Sequence, residues 1–120
     1  MQHVGVDIVE IARIERLIRR WGETFLQRVF TPSELTHHNN TSSLAARFAA
    51  KEAVLKALGA CDKGIGWREI EILAEPNGKP SVNLTGKAKL QADNSGIARI
   101  NISLSHSKEY AVAFVVGETA

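Results

Sequence analysis

Cysteine is almost missing from this chain, and so are several other signposts. Cys61 stands alone among 120 residues, which excludes an internal disulfide and fits a reducing compartment. No apolar run approaches the roughly 20 residues that cross a bilayer, so no membrane span is expected. The amino terminus, MQHVGVD, lacks the basic and long apolar regions of a secretory signal. A cytoplasmic protein is the expectation. Net charge is only +2, too mild to imply a nucleic-acid partner. Aromatic residues make up 6% against 44% hydrophobic, so the core must be aliphatic and alanine-rich. With no repeat, linker or low-complexity tract, residues 1–120 are expected to form a single domain.

What the chain does have is one strong helix. The segment from Arg47 to Leu58 (RFAAKEAVLKAL) is rich in alanine and straight-chain residues. Ser42 or Ser43 is a suitable start cap, and Gly59 a natural left-handed stop. Leu44, Phe48, Leu55 and Leu58 form an apolar stripe. Ala46, Ala49, Ala50, Ala53 and Ala57 form a small-residue face that another backbone can approach. Lys51 points into the apolar stripe, and Glu52 lies on its flank with Lys56 one turn further on. Charges so placed are paired, snorkelling or functional.

Around this helix the periodicity predicts an α+β fold, with a largely antiparallel sheet packed on the long central helix. Val4 to Val9 alternates as a strand, with Asp7 facing away from Val6 and Ile8 and Gly5 on its own side. Glu10 to Trp21 reads as a helix with Ile11, Ile14, Ile18 and Trp21 on its apolar face, stopped by Gly22. Its other face carries Arg13, Arg16 and Arg20 beside Leu17, which suits an acidic helical partner. A short helix follows from Thr24 to Phe30. Thr31-Pro-Ser-Glu34 then opens another with a capping box. His37 and His38 fall in a loop or frayed helix end. Cys61 to Gly66 is a glycine-rich connection. Ile70 and Ile72 lie in a strand, Pro76 to Pro80 in a turn, and Val82 and Leu84 in a second strand. Thr85 caps a helix to about Asn94, and two final strands form a hairpin around His106 to Glu109.

Asp7 and Glu52 are the acids placed worst for stability and best for a hard cation. Magnesium is usually held by one or two carboxylates together with substrate phosphates and water. Lys51 and Lys56 could then balance phosphate charge, and His106, at a hairpin turn, could meet another phosphate. No covalent nucleophile is supported, since neither Cys61 nor the serines near His106 have a paired base or acid nearby. The local chemistry points to metal-assisted transfer on a phosphate ester.

Three separated segments extend this reading: Gly5 to Glu10 (GVDIVE), Arg47 to Lys56 (RFAAKEAVLK) and Ser103 to Ser107 (SLSHS). Together they resemble the signature segments of holo-acyl-carrier-protein synthases, the short-chain class of 4′-phosphopantetheinyl transferases. Asn77 to Pro80 (NGKP) resembles a fourth. The likeness runs in order from near residue 1 to about residue 116. It departs at Leu55, where some relatives carry a polar residue, and in the Cys61 to Gly66 loop. The resemblance implies transfer of the phosphopantetheine arm of coenzyme A to a serine of an acyl carrier protein, in fatty acid biosynthesis. It implies magnesium, with manganese as an alternative, on Asp7 and Glu52, and Lys56 on the pyrophosphate. Arg47, Asn77, Gly78, Lys79, Pro80 and His106 match positions around the coenzyme A nucleotide. Arg13 matches a position that meets the carrier protein, and spacing adds Arg16, Arg20 and Arg28. The resemblance further implies a homotrimer with active sites between subunits. The acceptor of the serine proton stays open between an acid of the metal pair and a metal-bound water. The same acids would equally suit a non-catalytic module that holds a magnesium-nucleotide.

Overall fold

The computed structural model describes residues 1–60 and 63–120. Cys61 and Asp62, where the glycine-rich connection was expected to begin, lie outside the described residues. The elements run β1 (Gln2–Glu10), α1 (Ile11–Trp21), α2 (Glu23–Val29), α3 (Pro32–His37), α4 (Thr41–Leu58), β2 (Ile70–Ala74), β3 (Pro80–Leu84), α5 (Gly86–Asn94), β4 (Ile97–His106) and β5 (Tyr110–Thr119). The α+β class stands, but the sheet is divided. β1, β5 and β4 form one antiparallel sheet in that order, and β2 and β3 pair separately.

The long helix starts earlier than expected. Asn40, not Ser42 or Ser43, is its cap, accepting from the Ser43 backbone N–H at 2.8 Å. The residues this adds, Thr41 to Ser43, are only half-buried, so the Asn40 side chain rather than burial sets the start. Gly59 closes the helix in the left-handed region at φ 64°. Leu44, Phe48 and Leu58 are buried as the stripe required, with Leu55 only partly so.

The alanine face lies on the sheet. Ala49, Ala50 and Ala53 are fully buried, as are Ala111, Ala113 and Val115 of β5. Gly5 of β1 marks the tightest point: a Cβ there would lie 1.9 Å from the Ala53 carbonyl oxygen. That contact presses the strand against the helix backbone, with Asp7 next along the same strand face.

β1 runs antiparallel to β5 from Gln2 opposite Glu118 to Glu10 opposite Tyr110, so the two ends of the chain close the sheet together. The far side of this sheet is apolar and open. Val4, Val6, Ile8 and Phe114 are 58%, 52%, 63% and 48% exposed, and Val6 stands directly opposite Phe114.

The smaller elements follow their caps. Gly22 ends α1 at φ 53°. Trp21 differs from its assigned place on the apolar face: it is largely exposed, beyond the reach of the core at the helix end, with the Arg20 guanidinium 5.2 Å from its ring centre. Both halves of the capping box form at α3, Glu34 N–H to Thr31 Oγ1 at 3.2 Å and Thr31 N–H to Glu34 Oε1 at 2.8 Å. Thr85 stands at the start of α5, yet its side chain makes no capping bond. Glu69 does so instead, accepting from Ala88 N–H at 3.1 Å and from Gly66 N–H at 2.9 Å. Those amides pull the Glu69 carboxyl below the usual carboxylate range.

Candidate active site

β1 and α4 bring the first group of side chains together. Asp7 faces the helix from the inner side of β1, and Lys56 reaches across to it. The Lys56 ammonium donates to Asp7 Oδ1 at 3.2 Å and to the Val6 carbonyl at 2.9 Å. Glu52 stands one helical turn before Lys56 and within electrostatic reach of Asp7. Burial pushes the Glu52 carboxyl above the usual carboxylate range, and Asp7 pushes it further; Lys56 and Arg13 pull it back. Two acids are thus held near each other at a cost that a cation between them would relieve. Among the described residues no cluster of three or more His, Cys, Asp or Glu side chains could hold a metal. The protein therefore offers a hard cation two carboxylates, and phosphate or water oxygens must supply the remainder. That donor set fits magnesium.

Lys51 does not belong to this site. Its ammonium is fully buried and pairs with Glu34 Oε1 at 2.8 Å, also donating to the carbonyls of Trp67 and Ile70. The expectation that it balances substrate phosphate is corrected: the apolar stripe into which it points is covered by α3 and β2, so no ligand reaches it.

A second group surrounds a concavity of about 230 Å³ between the start of α4 and the end of β4, where Asn40, Ser43, Arg47, Ser105 and His106 line the wall. Arg47 is only 8% exposed, and its Nε is buried without a partner. Burial draws its pKa below the ordinary arginine value. The guanidinium borders this concavity with more donors than its partners on Ser43 use. His106 ends β4 with its ring exposed and Nδ1 3.3 Å from the Ser107 carbonyl.

Asn77, Gly78 and Lys79 lie in the exposed turn between β2 and β3, and Pro80 opens β3. Asn77 Oδ1 accepts from Lys79 N–H at 3.0 Å, and Gly78 takes φ 88°. Among the described residues, no hydrogen bond or ion pair joins this turn to either group above.

The arginines lie on the α1–α2 side. Arg13 stacks 5.9 Å from the centre of the Phe48 ring, one turn before Glu52 on α4. Arg16 is 3.9 Å from Glu10. Arg28 borders a concavity of about 280 Å³ walled by Leu17, Trp21, Thr24 and Phe25. Sequence reading missed this apolar trough, because its walls come from two helices that meet only across the Gly22 bend.

Acids and a lysine at a strand–helix contact, with an arginine and a histidine lining a separate concavity, make an arrangement suited to phosphoryl transfer. The family model of the 4′-phosphopantetheinyl transferase superfamily matches residues 3–115, and the chain belongs to that superfamily. Within it, the chain is 52% identical over 119 residues to a holo-[acyl-carrier-protein] synthase of Dehalococcoides mccartyi, covering 98% of this chain and 99% of that one. A protein of the same name from Halothermothrix orenii is 44% identical, covering 96% and 95%. The Helicobacter pylori holo-[acyl-carrier-protein] synthase, solved in complex with coenzyme A, superposes with a TM-score of 0.87 at 37% identity, covering 96% and 99%. The Neisseria meningitidis enzyme gives 0.89 at 36% identity, covering 98% of each chain.

Proposed function

We propose that this chain is a holo-[acyl-carrier-protein] synthase of one domain. It moves the 4′-phosphopantetheine arm of coenzyme A to a serine of the apo carrier, releasing adenosine 3′,5′-bisphosphate. The observation that carries the reading is the Lys56–Asp7 ion pair at the contact of β1 with α4, one helical turn from Glu52. Asp7 and Glu52 would hold magnesium, or manganese in its place. When bound, the ion neutralises charge on the pyrophosphate oxygens.

The chain's own groups divide the remaining work. The serine oxygen attacks the phosphorus that bears the pantetheine arm, and the bridging P–O bond breaks. Lys56 stabilises the charge that gathers on the leaving phosphate. The serine proton passes to an acid of the Asp7–Glu52 pair or to a water on the ion they would hold. Arg47 and His106 receive the nucleotide phosphates at the second concavity. Asn77 to Pro80 contact the nucleotide of a neighbouring copy, in keeping with the lack of any hydrogen bond or ion pair from this turn to the acids among the described residues.

That last assignment needs an assembly, and the open face of the three-stranded sheet supports one. Val4, Val6, Ile8 and Phe114 make an apolar surface unusual for a free monomer. A homotrimer built on this face is the expected species, and sedimentation at working concentration should give three times the chain mass. A monomer there would remove the shared-site reading.

The carrier docks on the arginine side. Arg13→Glu should raise KM for the carrier by tenfold or more, roughly, while KM for coenzyme A stays put. An unchanged response to carrier concentration would remove the docking role of Arg13. The reaction itself is tested by incubating protein, magnesium, coenzyme A and apo carrier, then weighing the carrier. A gain equal to one phosphopantetheine is expected. A carrier of unaltered mass, with coenzyme A bound, would leave a binding module in place of an enzyme.

A further inference from the structure

Arg47 is held by a short chain of hydrogen bonds. Its Nη1 donates to the Ser43 hydroxyl at 3.0 Å and, more weakly, to the Ser43 carbonyl at 3.4 Å. Having accepted there, the Ser43 hydroxyl has its own hydrogen free. His38 Nδ1 lies 3.4 Å from that oxygen. A hydrogen running from Ser43 to Nδ1 requires His38 to be neutral with its proton on Nε2. The surroundings favour the neutral ring: burial first, then Arg47, then His37 all lower the His38 pKa. The buried, unpartnered Nε2 marks the end of the chain.

The serine is not there for the helix. The cap of α4 uses the Ser43 backbone N–H, donated to Asn40, and leaves the side chain out. Alanine at this position would be the better helix former. The hydroxyl instead fastens one corner of a guanidinium that has five donors. Arg47 also lines the concavity shared with Ser105 and His106.

We propose that Ser43, backed by His38, is the positioning residue that sets Arg47 for the nucleotide phosphates of coenzyme A. This rests on the reading of Arg47 as a coenzyme A contact. A long arginine side chain loses considerable rotamer freedom on binding, and a chain that holds it beforehand removes that cost from each encounter. The effect belongs to coenzyme A affinity, since neither Ser43 nor His38 adjoins Asp7, Glu52 or Lys56.

Steady-state kinetics on the full-length protein, with calorimetry of adenosine 3′,5′-bisphosphate binding, tests it. Ser43→Ala should raise both KM for coenzyme A and Kd for the bisphosphate by about tenfold, the usual loss for a hydrogen bond to a charged group. kcat and carrier KM should stay within about twofold, and the melting temperature should not fall. Ser43→Thr, which keeps the hydroxyl, should restore affinity. His38→Ala should move the same two constants by a smaller factor. Arg47→Ala separates the possible failures. If it raises KM for coenzyme A while Ser43→Ala does not, the positioning role is overturned and the subsite stands. If Arg47→Ala changes nothing, both fall.

Discussion

Glu52→Gln is expected to reduce carrier modification by about a thousandfold, the scale set by removing one preorganised electrostatic group from a transfer site. Gln keeps the shape and one oxygen but loses the charge that a divalent ion needs. The same change should leave the fold intact and make it slightly more stable at neutral pH. Burial and Asp7 both raise the Glu52 pKa, so the folded chain holds this proton more tightly than the unfolded chain. Stability contributed by Glu52 therefore declines as pH rises from the ordinary glutamate range through the raised folded value. At pH 7 the parent carries that cost and the Gln variant does not. Melting curves should show a gain of a few degrees at pH 7 that shrinks to nothing toward about pH 4. A variant that transfers within a few-fold of the parent would refute the role of Glu52. One that melts lower at pH 7 would refute the electrostatic account of its neighbourhood.

Lys51→Ala has the opposite signature. It should cost about 3–5 kcal/mol of stability, because it leaves the Glu34 carboxylate buried without its cation. The Trp67 and Ile70 carbonyls lose their donor as well. Glu34 also accepts from Thr31 N–H at 2.8 Å and from Ile72 N–H at 2.7 Å, so one carboxylate ties α3, α4 and β2 together. Urea titration should show a much lower midpoint, while turnover measured well below the melting temperature stays near that of the parent. If stability holds and turnover falls instead, Lys51 acts on substrate after all, and the buried pairing misrepresents it.

These two neighbours in the chain show what a sequence can and cannot disclose. Lys51 and Glu52 were both visible as charges misplaced on an apolar helix. Nothing local said that one is sealed inside by Glu34, seventeen residues earlier, while the other faces a strand at the amino terminus. Periodicity reported the strand, the helices, the Gly59 stop and the Thr31 capping box, because each depends on residues within a turn of one another. The Asn40 cap was missed because two serines competed for the place with equal local merit. Glu69 was missed as the cap of α5 for a like reason: its carboxylate arrives from a different element, nineteen residues away from Ala88. The Ser43–His38 chain depended on α3 ending where it does. The division of the sheet was equally out of reach, since β3 lies beside β4 without the ladder that alternation alone would suggest.

Gly5 carries a consequence for how the acids meet. A strand bearing even one methyl group at that point could not lie where it does against Ala53. Asp7 rides on the same strand two residues later, and Glu52 is the immediate neighbour of Ala53. The span between the two carboxyl groups is thus gauged by main chain touching main chain, a far stiffer ruler than any side chain. An enzyme built this way can let its loops drift over time while the gap between these two carboxylates keeps the same width.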